Sequence, residues 1–459
     1  MSTLQIEYLP PERLRPYPNN ARAHSKKQIR QIAKSIERFG FNDPVLISDD
    51  FEVIAGHGRL EAAKLLGLKL IPTLRLSNLS PTDRRAYALA ANRLAELSGW
   101  DREILALELQ GLEDFNFDEI EVTGFSLGEI DDILDEATEK KADEPGPEDD
   151  IPAARSRDAV VSRMGDLWIL GPHRLLCGDA RNTADYRRLL SGELADLVLT
   201  DPPFNVAIKD NVSGLGRVRH ENFAMASGEM SESEFTAFLS SFLRCAKASA
   251  KDGAILFVFM DWRHLYELIT AGREVDLALK NLVVWAKDNA GLGTFYRSKH
   301  ELILVFKNGD APHTNTFELG QYGRYRTNVW QYAGVNTFRA GRLDELAMHP
   351  TVKPTALVAD AIRDVTRRGA IVLDPFAGSG TTIIAAEKTG RHARAIEYEP
   401  TYCDVIVRRW QQYTGKAALL EGAAQTFEDV EADRLPASRV TEQEPQAAQD
   451  ASFSDVVKG

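Results

Sequence analysis

Along the first hundred positions the apolar residues alternate between helical and strand-like spacing. Over 26–38, Ile29, Ile32, Ala33 and Ile36 recur at helical intervals, and Phe39 with Gly40 ends the run. PVLIS at 44–48 is strand-like. FEVIA makes a second strand ending at Ala55, followed by a glycine-flanked turn, a helix over about 60–66, a strand near 71–76 and a helix around 81–97. Helical spacing continues over 101–136, through Ile104, Leu105, Leu107, Leu109 and Leu112 and then Ile130, Ile133 and Leu134. It stops in TEKKADEPGPEDDIPAARSRD, which has too little to bury. Beyond it the strand-like runs HRLLCGD, ADLVLT, AILFVFM, NLVVWAK, ELILVFK, AIVLD and RAIEY are separated by amphipathic helices, which predicts a doubly wound, mostly parallel α/β sheet.

These patterns divide the chain into a small α/β domain at 1–100, an acidic helical extension at 101–137, a linker at 138–158, a large α/β domain at 159–420 and a disordered acidic tail at 421–459. The net charge of −13 would argue against a polyanionic partner if it were evenly spread. It is not: residues 101–158 hold 20 Asp+Glu against 5 Lys+Arg, whereas 1–100 hold 15 Lys+Arg against 10 Asp+Glu. Both predicted folded domains are mildly basic and stay compatible with nucleic acid. No stretch offers roughly 18 consecutive apolar residues, so no membrane partner is expected. The N-terminal residues lack a basic patch followed by an apolar run, and the cytoplasm is the expected compartment. Cys177, Cys245 and Cys403 are far apart and suggest neither a disulfide framework nor a metal site.

Candidate chemistry sits where strands end. ADLVLT runs into Asp201-Pro202-Pro203-Phe204, placing a carboxylate and a ring at the carboxyl end of a buried strand, where open α/β sheets bind ligands. Two prolines remove two backbone donors and stiffen the loop, so its carbonyls and Asp201 act as acceptors suited to an amino group. Phe204 would then stack on a base taken out of a duplex. A second turn, Asp374-Pro375-Phe376-Ala377-Gly378-Ser379-Gly380-Thr381-Thr382, follows another apolar strand and opens a helix. Its glycines admit close backbone approach and its helix start favours an anionic group. The spacing is neither G-x-G-x-x-G nor a P-loop, which disfavours dinucleotide and nucleoside-triphosphate chemistry and leaves a smaller nucleoside-like cofactor. Glu397, ending the next strand, is placed to accept ribose hydroxyls.

Together these motifs resemble the β arrangement of the amino-group DNA methyltransferases, in which the Asp-Pro-Pro-Phe motif precedes the glycine-rich one. The resemblance covers residues 160–415 and extends to His349-Pro350-Thr351-Val352-Lys353-Pro354 and to Asp179 in HRLLCGD. It implies a Rossmann-like methyltransferase sheet with permuted motif order and S-adenosylmethionine as cofactor. Asp374, Phe376, Gly378, Gly380, Thr381, Glu397, Asp179 and Lys353 would face that cofactor; Asp201, Pro202, Pro203 and Phe204 would face the base. In this family Asp before Pro-Pro accompanies adenine N6 modification, so the expected activity is site-specific adenine N6 methylation of double-stranded DNA, as in restriction–modification, in a cytoplasmic, nucleoid-associated protein. Cytosine N4 methylation is the alternative. Residues 291–346, where Arg, Asn, Gln, Tyr and Trp interleave, form the candidate target-recognition segment, with Arg297, Arg324 and Arg326 as DNA contacts.

The first domain resembles the ParB and sulfiredoxin superfamily through Gly56-His57-Gly58-Arg59, Glu61-Ala62-Ala63 and Gly67. The resemblance implies a phosphate site at Gly56 and Arg59 for a nucleotide, CTP or ATP. No cysteine lies in this box, which puts reductase chemistry in doubt. A rival function follows, a nucleotide-switched DNA clamp carrying a non-catalytic methylase fold. A homodimer is left open.

Overall fold

The computed structural model describes residues 4–112, 121–138, 149–152, 159–205, 228–287, 296–316, 327–332, 352–423 and 425–435. They fall into two compact units divided after Lys141. In the first, β1 (Ile6–Leu9), β2 (Val45–Ile47), β3 (Val53–Ala55) and β4 (Ile71–Arg75) form a sheet in the order β1-β4-β2-β3, with only β2 and β4 parallel. Val45, Ile47, Val53 and Ile71 bury against Leu60 and Ala63 of helix His57–Leu65. That helix starts earlier than periodicity predicts. Gly56 takes φ 102° as its N-cap, a conformation costly for any residue with a Cβ, so the glycine-flanked turn is the helix's own first turn. Helices Arg102–Gly111 and Leu127–Thr138 pack on each other through Leu105, Ala106 and Leu109 against Ile130, Ile133 and Leu134.

The second unit is built on ten strands: β5 (Leu167–Leu170), β6 (His173–Cys177), β7 (Ala195–Thr200), β8 (Ala250–Met260), β9 (Ala278–Ala286), β10 (His300–Lys307), β11 (Val329–Gln331), β12 (Ile371–Asp374), β13 (His392–Glu397) and β14 (Leu419–Leu420). Their order is β11-β9-β10-β8-β7-β12-β13-β6-β5-β14. The central five, from β8 to β6, are parallel, whereas β10 runs antiparallel to both β8 and β9 and β5 runs antiparallel to its neighbours. Consecutive in the chain, β9 and β10 pair antiparallel. Parallel strands are covered on both faces, which explains the unbroken apolar run of β7. Val198 faces Tyr186, Phe235 and Phe242 on one side, and Leu197 and Leu199 face Leu357, Val358 and Ile362 on the other.

Ordered structure continues past residue 421, where composition predicts a disordered tail. Residues 427–434, assigned to the disordered stretch, form helix Phe427–Arg434 with Phe427 and Val430 buried. Thr426 and Asp429 close a capping box, and Phe427 lies 5.1 Å from the ring of Trp168. Phe427, Val430 and the following Leu435 suffice here because Trp168 of β5 supplies the other half of the contact. Phe427→Ala is expected to lower unfolding stability by about 3 kcal/mol, measurable by urea denaturation. No described helix is long and apolar enough to cross a membrane.

Candidate active site

Chain order sets the location of the site. From β7 the chain moves to β8 on one side, and from β12 it moves to β13 on the other, so β7 and β12 flank a topological switch point. Crevices open at the carboxyl ends of strands at such points. The adjacent parallel strands β7, β12, β13 and β6 bring Asp201, Asp374, Glu397 and Asp179 to that one rim. The two loops, far apart in sequence, meet there through a direct bond: Thr200 Oγ1, next to Asp201, donates to Asp374 Oδ1 at 2.8 Å.

Asp374 is spent on holding this junction. Thr382 Oγ1 donates to its Oδ2 at 2.6 Å and the Phe376 amide to its Oδ1 at 3.1 Å. Burial still outweighs these bonds and pushes its carboxyl up to about 6.

Asp201 lies in a cluster of four charges, with Lys353 buried and the other three half-buried. Lys353 Nζ donates to Asp201 Oδ2 at 2.5 Å and stands 3.3 Å from Glu301 Oε2, while Lys287 Nζ pairs with Glu301 Oε1. The Lys353 ammonium also stands 5.8 Å from the Phe204 ring centroid and 5.1 Å from that of Phe259. Lys353 therefore keeps company with the Asp-Pro-Pro-Phe loop, not with the glycine turn to which the resemblance assigns it. Asp201 Oδ1 is buried and has no hydrogen-bond partner among the described residues. Such an orphaned acceptor is costly unless a ligand donates to it. Burial and then Glu301 raise the Asp201 carboxyl, with Lys353 pulling the other way. Pro202 is buried, and the half-buried Phe204 packs between the cores on the two faces of the sheet. Beyond it, Asn205 holds residues 228–230 to the loop, its Nδ2 donating to Met230 O at 2.8 Å and its Oδ1 accepting from the Gly228 and Met230 amides.

The glycine turn faces Glu397. Gly378 and Gly380 take φ 55° and 81°, and the Gly378 amide donates to Glu397 Oε2 at 2.8 Å. Glu397 Oε1 accepts from the Glu399 amide at 2.9 Å. Behind the turn, the buried Arg409 donates to Ser379 O at 3.0 Å and to Thr381 Oγ1 at 3.2 Å, so the Thr381 hydroxyl is bound within the protein. Burial pushes the Glu397 carboxyl up to about 7. A raised carboxyl stabilises the fold when protonated, and that contribution is lost as pH climbs through 7. Relative to the wild type, Glu397→Gln is therefore expected to gain up to about 3 kcal/mol between about pH 5 and about pH 8, read from paired denaturation curves of the ligand-free protein. An unchanged difference across that range would contradict the assignment.

Asp179 lines an open cavity of about 760 Å³ with Arg181, Asn182, Met230 and Phe238. Arg181 holds its carboxylate down, donating from Nε at 3.0 Å and from Nη2 at 2.8 Å. Phe376 stacks edge-on against Phe242 at 5.0 Å and tilts against Phe238 at 6.1 Å, which continues the rim from the glycine turn to the cavity wall. A small nucleoside-like ligand fits this set: a cavity of suitable size, an aromatic wall and carboxylates at separate strand ends.

Arg297 is exposed; Arg324, Arg326 and His349 to Thr351 lie outside the described residues. In the first unit, Gly56 and Arg59 stand together at the helix start, with Arg59 Nη1 paired to Asp43 and its buried Nε without a partner among the described residues. His57 is committed to structure, its Nε2 accepting from the Tyr17 amide at 3.2 Å. Glu301, Lys287, Thr200 and Arg409 do not emerge from the sequence, because their roles depend on partners across the sheet.

A switch-point crevice with an acceptor-rich loop beside a glycine turn defines a Rossmann-like methyltransferase. Residues 195–408 match the DNA methylase family, 103–164 the ParB-methyltransferase HTH domain and 1–93 the ParB N-terminal domain. Residues 195–408 belong to the DNA methylase family and are joined in one chain to a ParB-type N-terminal domain. It is 22% identical over 240 residues to the type II methyltransferase M2.MboI of Moraxella bovis, spanning 51% of this chain and 86% of that protein. It is 44% identical over 82 residues to the ParB-like nuclease domain-containing protein YnaK of Escherichia coli K12, spanning 18% of this chain and 94% of that protein. The M1.HpyAVI–SAM complex aligns over 51% of this chain and 98% of its own, at 20% identity and a TM-score of 0.37. The helix pair read from periodicity as an acidic extension lies within the HTH match.

Proposed function

We propose that the protein transfers a methyl group from S-adenosylmethionine to adenine N6 at specific sites in double-stranded DNA. The observation that carries this is the buried, unpartnered Asp201 Oδ1 beside the glycine turn, held there by the Thr200–Asp374 bond. An exocyclic amine is a poor nucleophile because its lone pair is delocalised into the ring. Asp201 Oδ1 and the Pro202 carbonyl would each accept one amine N–H, and Phe204 would stack on the flipped base. Gly378, Gly380, Phe376, Glu397 and Asp179 would seat the cofactor, with Thr381 and Asp374 shaping the turn from within. The cofactor supplies an electrophilic sulfonium methyl. Catalysis then rests on orientation and on acceptors already in place.

Asp before Pro-Pro favours adenine over cytosine. The test is incubation with radiolabelled S-adenosylmethionine and amplified, modification-free genomic DNA, followed by digestion to nucleosides. Label in N6-methyladenine is expected. Label in N4-methylcytosine would overturn the base assignment, and DNA binding that responds to CTP without any transfer would favour the clamp. For the N-terminal unit, the unpartnered Arg59 Nε at a helix start supports a nucleotide phosphate site. CTP and ATP titrations with Arg59→Ala as control test it.

A further inference from the structure

The four-charge cluster contains more than the proposed reaction uses. Lys287, Glu301, Lys353 and Asp201 alternate in sign, and they come from the end of β9, from β10, from the segment before helix Thr355–Val365 and from the loop after β7. A lysine beside a carboxylate has a flexible stem and three donors, so on its own it can bridge both oxygens. Here Lys353 is hydrogen-bonded to Asp201 Oδ2, ion-paired at 3.3 Å with Glu301 Oε2, which makes no hydrogen bond among the described residues, and flanked by two rings, while Asp201 Oδ1 stays unpartnered. We propose that Glu301, backed by Lys287, is a positioning residue that fixes the Lys353 ammonium on one oxygen of Asp201 and so keeps the other open for the target amine. This rests on the reading of Asp201 as the amine acceptor.

The groups facing Asp201 give the proposal a directional signature. Glu301 raises the Asp201 carboxyl, and Lys353 and Lys287 lower it. Asp374, from β12, lies close enough for the two carboxylates to act on each other, and it is bonded to Thr200 and Thr382. At the end of β8, Asp261 is paired with Arg263 and His264. Activity needs Asp201 ionised, so it falls on the acid side as Asp201 takes up a proton. Removing the charge of Glu301 moves that acid limb to lower pH; removing that of Lys287 moves it to higher pH.

The experiment measures kcat against pH for the full-length wild type, Glu301→Gln, Lys287→Met and Asp201→Ala, using labelled S-adenosylmethionine and modification-free genomic DNA. Glu301→Gln is expected to lower kcat by roughly 10- to 100-fold with an unchanged KM for S-adenosylmethionine, and to shift its acid limb downward. Lys287→Met is expected to shift it upward. Should Glu301→Gln fail to fold, the direction for Lys287→Met decides. Activity lost without any displacement of the limb, or retained in full, would overturn the positioning role while leaving Asp201 in place. A fully active Asp201→Ala enzyme, or a wild type that transfers nothing, would instead remove the reading beneath it.

Discussion

Replacing Asp201 with alanine is expected to reduce methyl transfer by roughly 10²- to 10³-fold, the loss seen when one preorganised polar contact to a reacting group is removed. The loss should appear in kcat, because the proposed seat of S-adenosylmethionine is the glycine turn with Glu397, apart from Asp201. Alanine also breaks the Lys353–Asp201 ion pair, and removing one partner of a buried pair destabilises by about 3–5 kcal/mol. The assay therefore needs a temperature at which circular dichroism shows the variant folded, with cofactor binding measured by calorimetry. Asp201→Asn keeps the shape and one acceptor oxygen and should retain more activity than alanine. Equal rates for wild type and Asp201→Ala would remove Asp201 from the chemistry.

The second large effect is expected at Gly380. It takes φ 81° as N-cap of helix Thr381–Thr389, and a Cβ there would stand 2.9 Å from Ile406 Cγ2. Valine brings two penalties, a left-handed conformation that β-branched residues avoid and overpacking against helix Pro400–Thr414. Together they amount to about 4 kcal/mol. Relief would require the turn to move, which would break the Gly378–Glu397 bond and the Arg409 bonds to Ser379. Cofactor affinity should fall by about 100-fold in the fraction that folds, consistent with the sensitivity of binding to small misplacements. Near-native stability and affinity would show that the turn does not depend on this glycine.

Much of this was legible in the chain because strand ends and turns are local. ADLVLT followed by Asp-Pro-Pro-Phe, and AIVLD followed by the glycine turn, carry their placement in the period of their own apolar residues. The parallel core followed from the alternation of strands and helices, whereas the antiparallel pairing of β9 and β10 did not, because an apolar strand has the same period in either direction. Helix Phe427–Arg434 escaped because its burial is supplied by Trp168, far upstream, and half of its own residues are acidic. The charge cluster escaped for the same reason. Lys353 was visible in its motif, but its partner Asp201 lies 152 positions away, and nothing local marks Glu301 as its neighbour. Arg409 likewise looks like an ordinary helical arginine until the fold sets it behind the glycine turn.

The central claim is spatial: the acceptor on Asp201 and the cofactor seat at the glycine turn serve one reaction. The most direct measurement is a crystal structure with a non-reactive cofactor analogue, sinefungin, and a duplex carrying the methylated site found by sequencing. The account predicts the analogue between Gly378 and Glu397, with an extruded adenine whose N6 donates to Asp201 Oδ1 and lies about 3–3.5 Å from the group replacing the methyl. An analogue bound elsewhere, or an adenine whose amine is held by other residues with Asp201 Oδ1 still unpartnered, would contradict it.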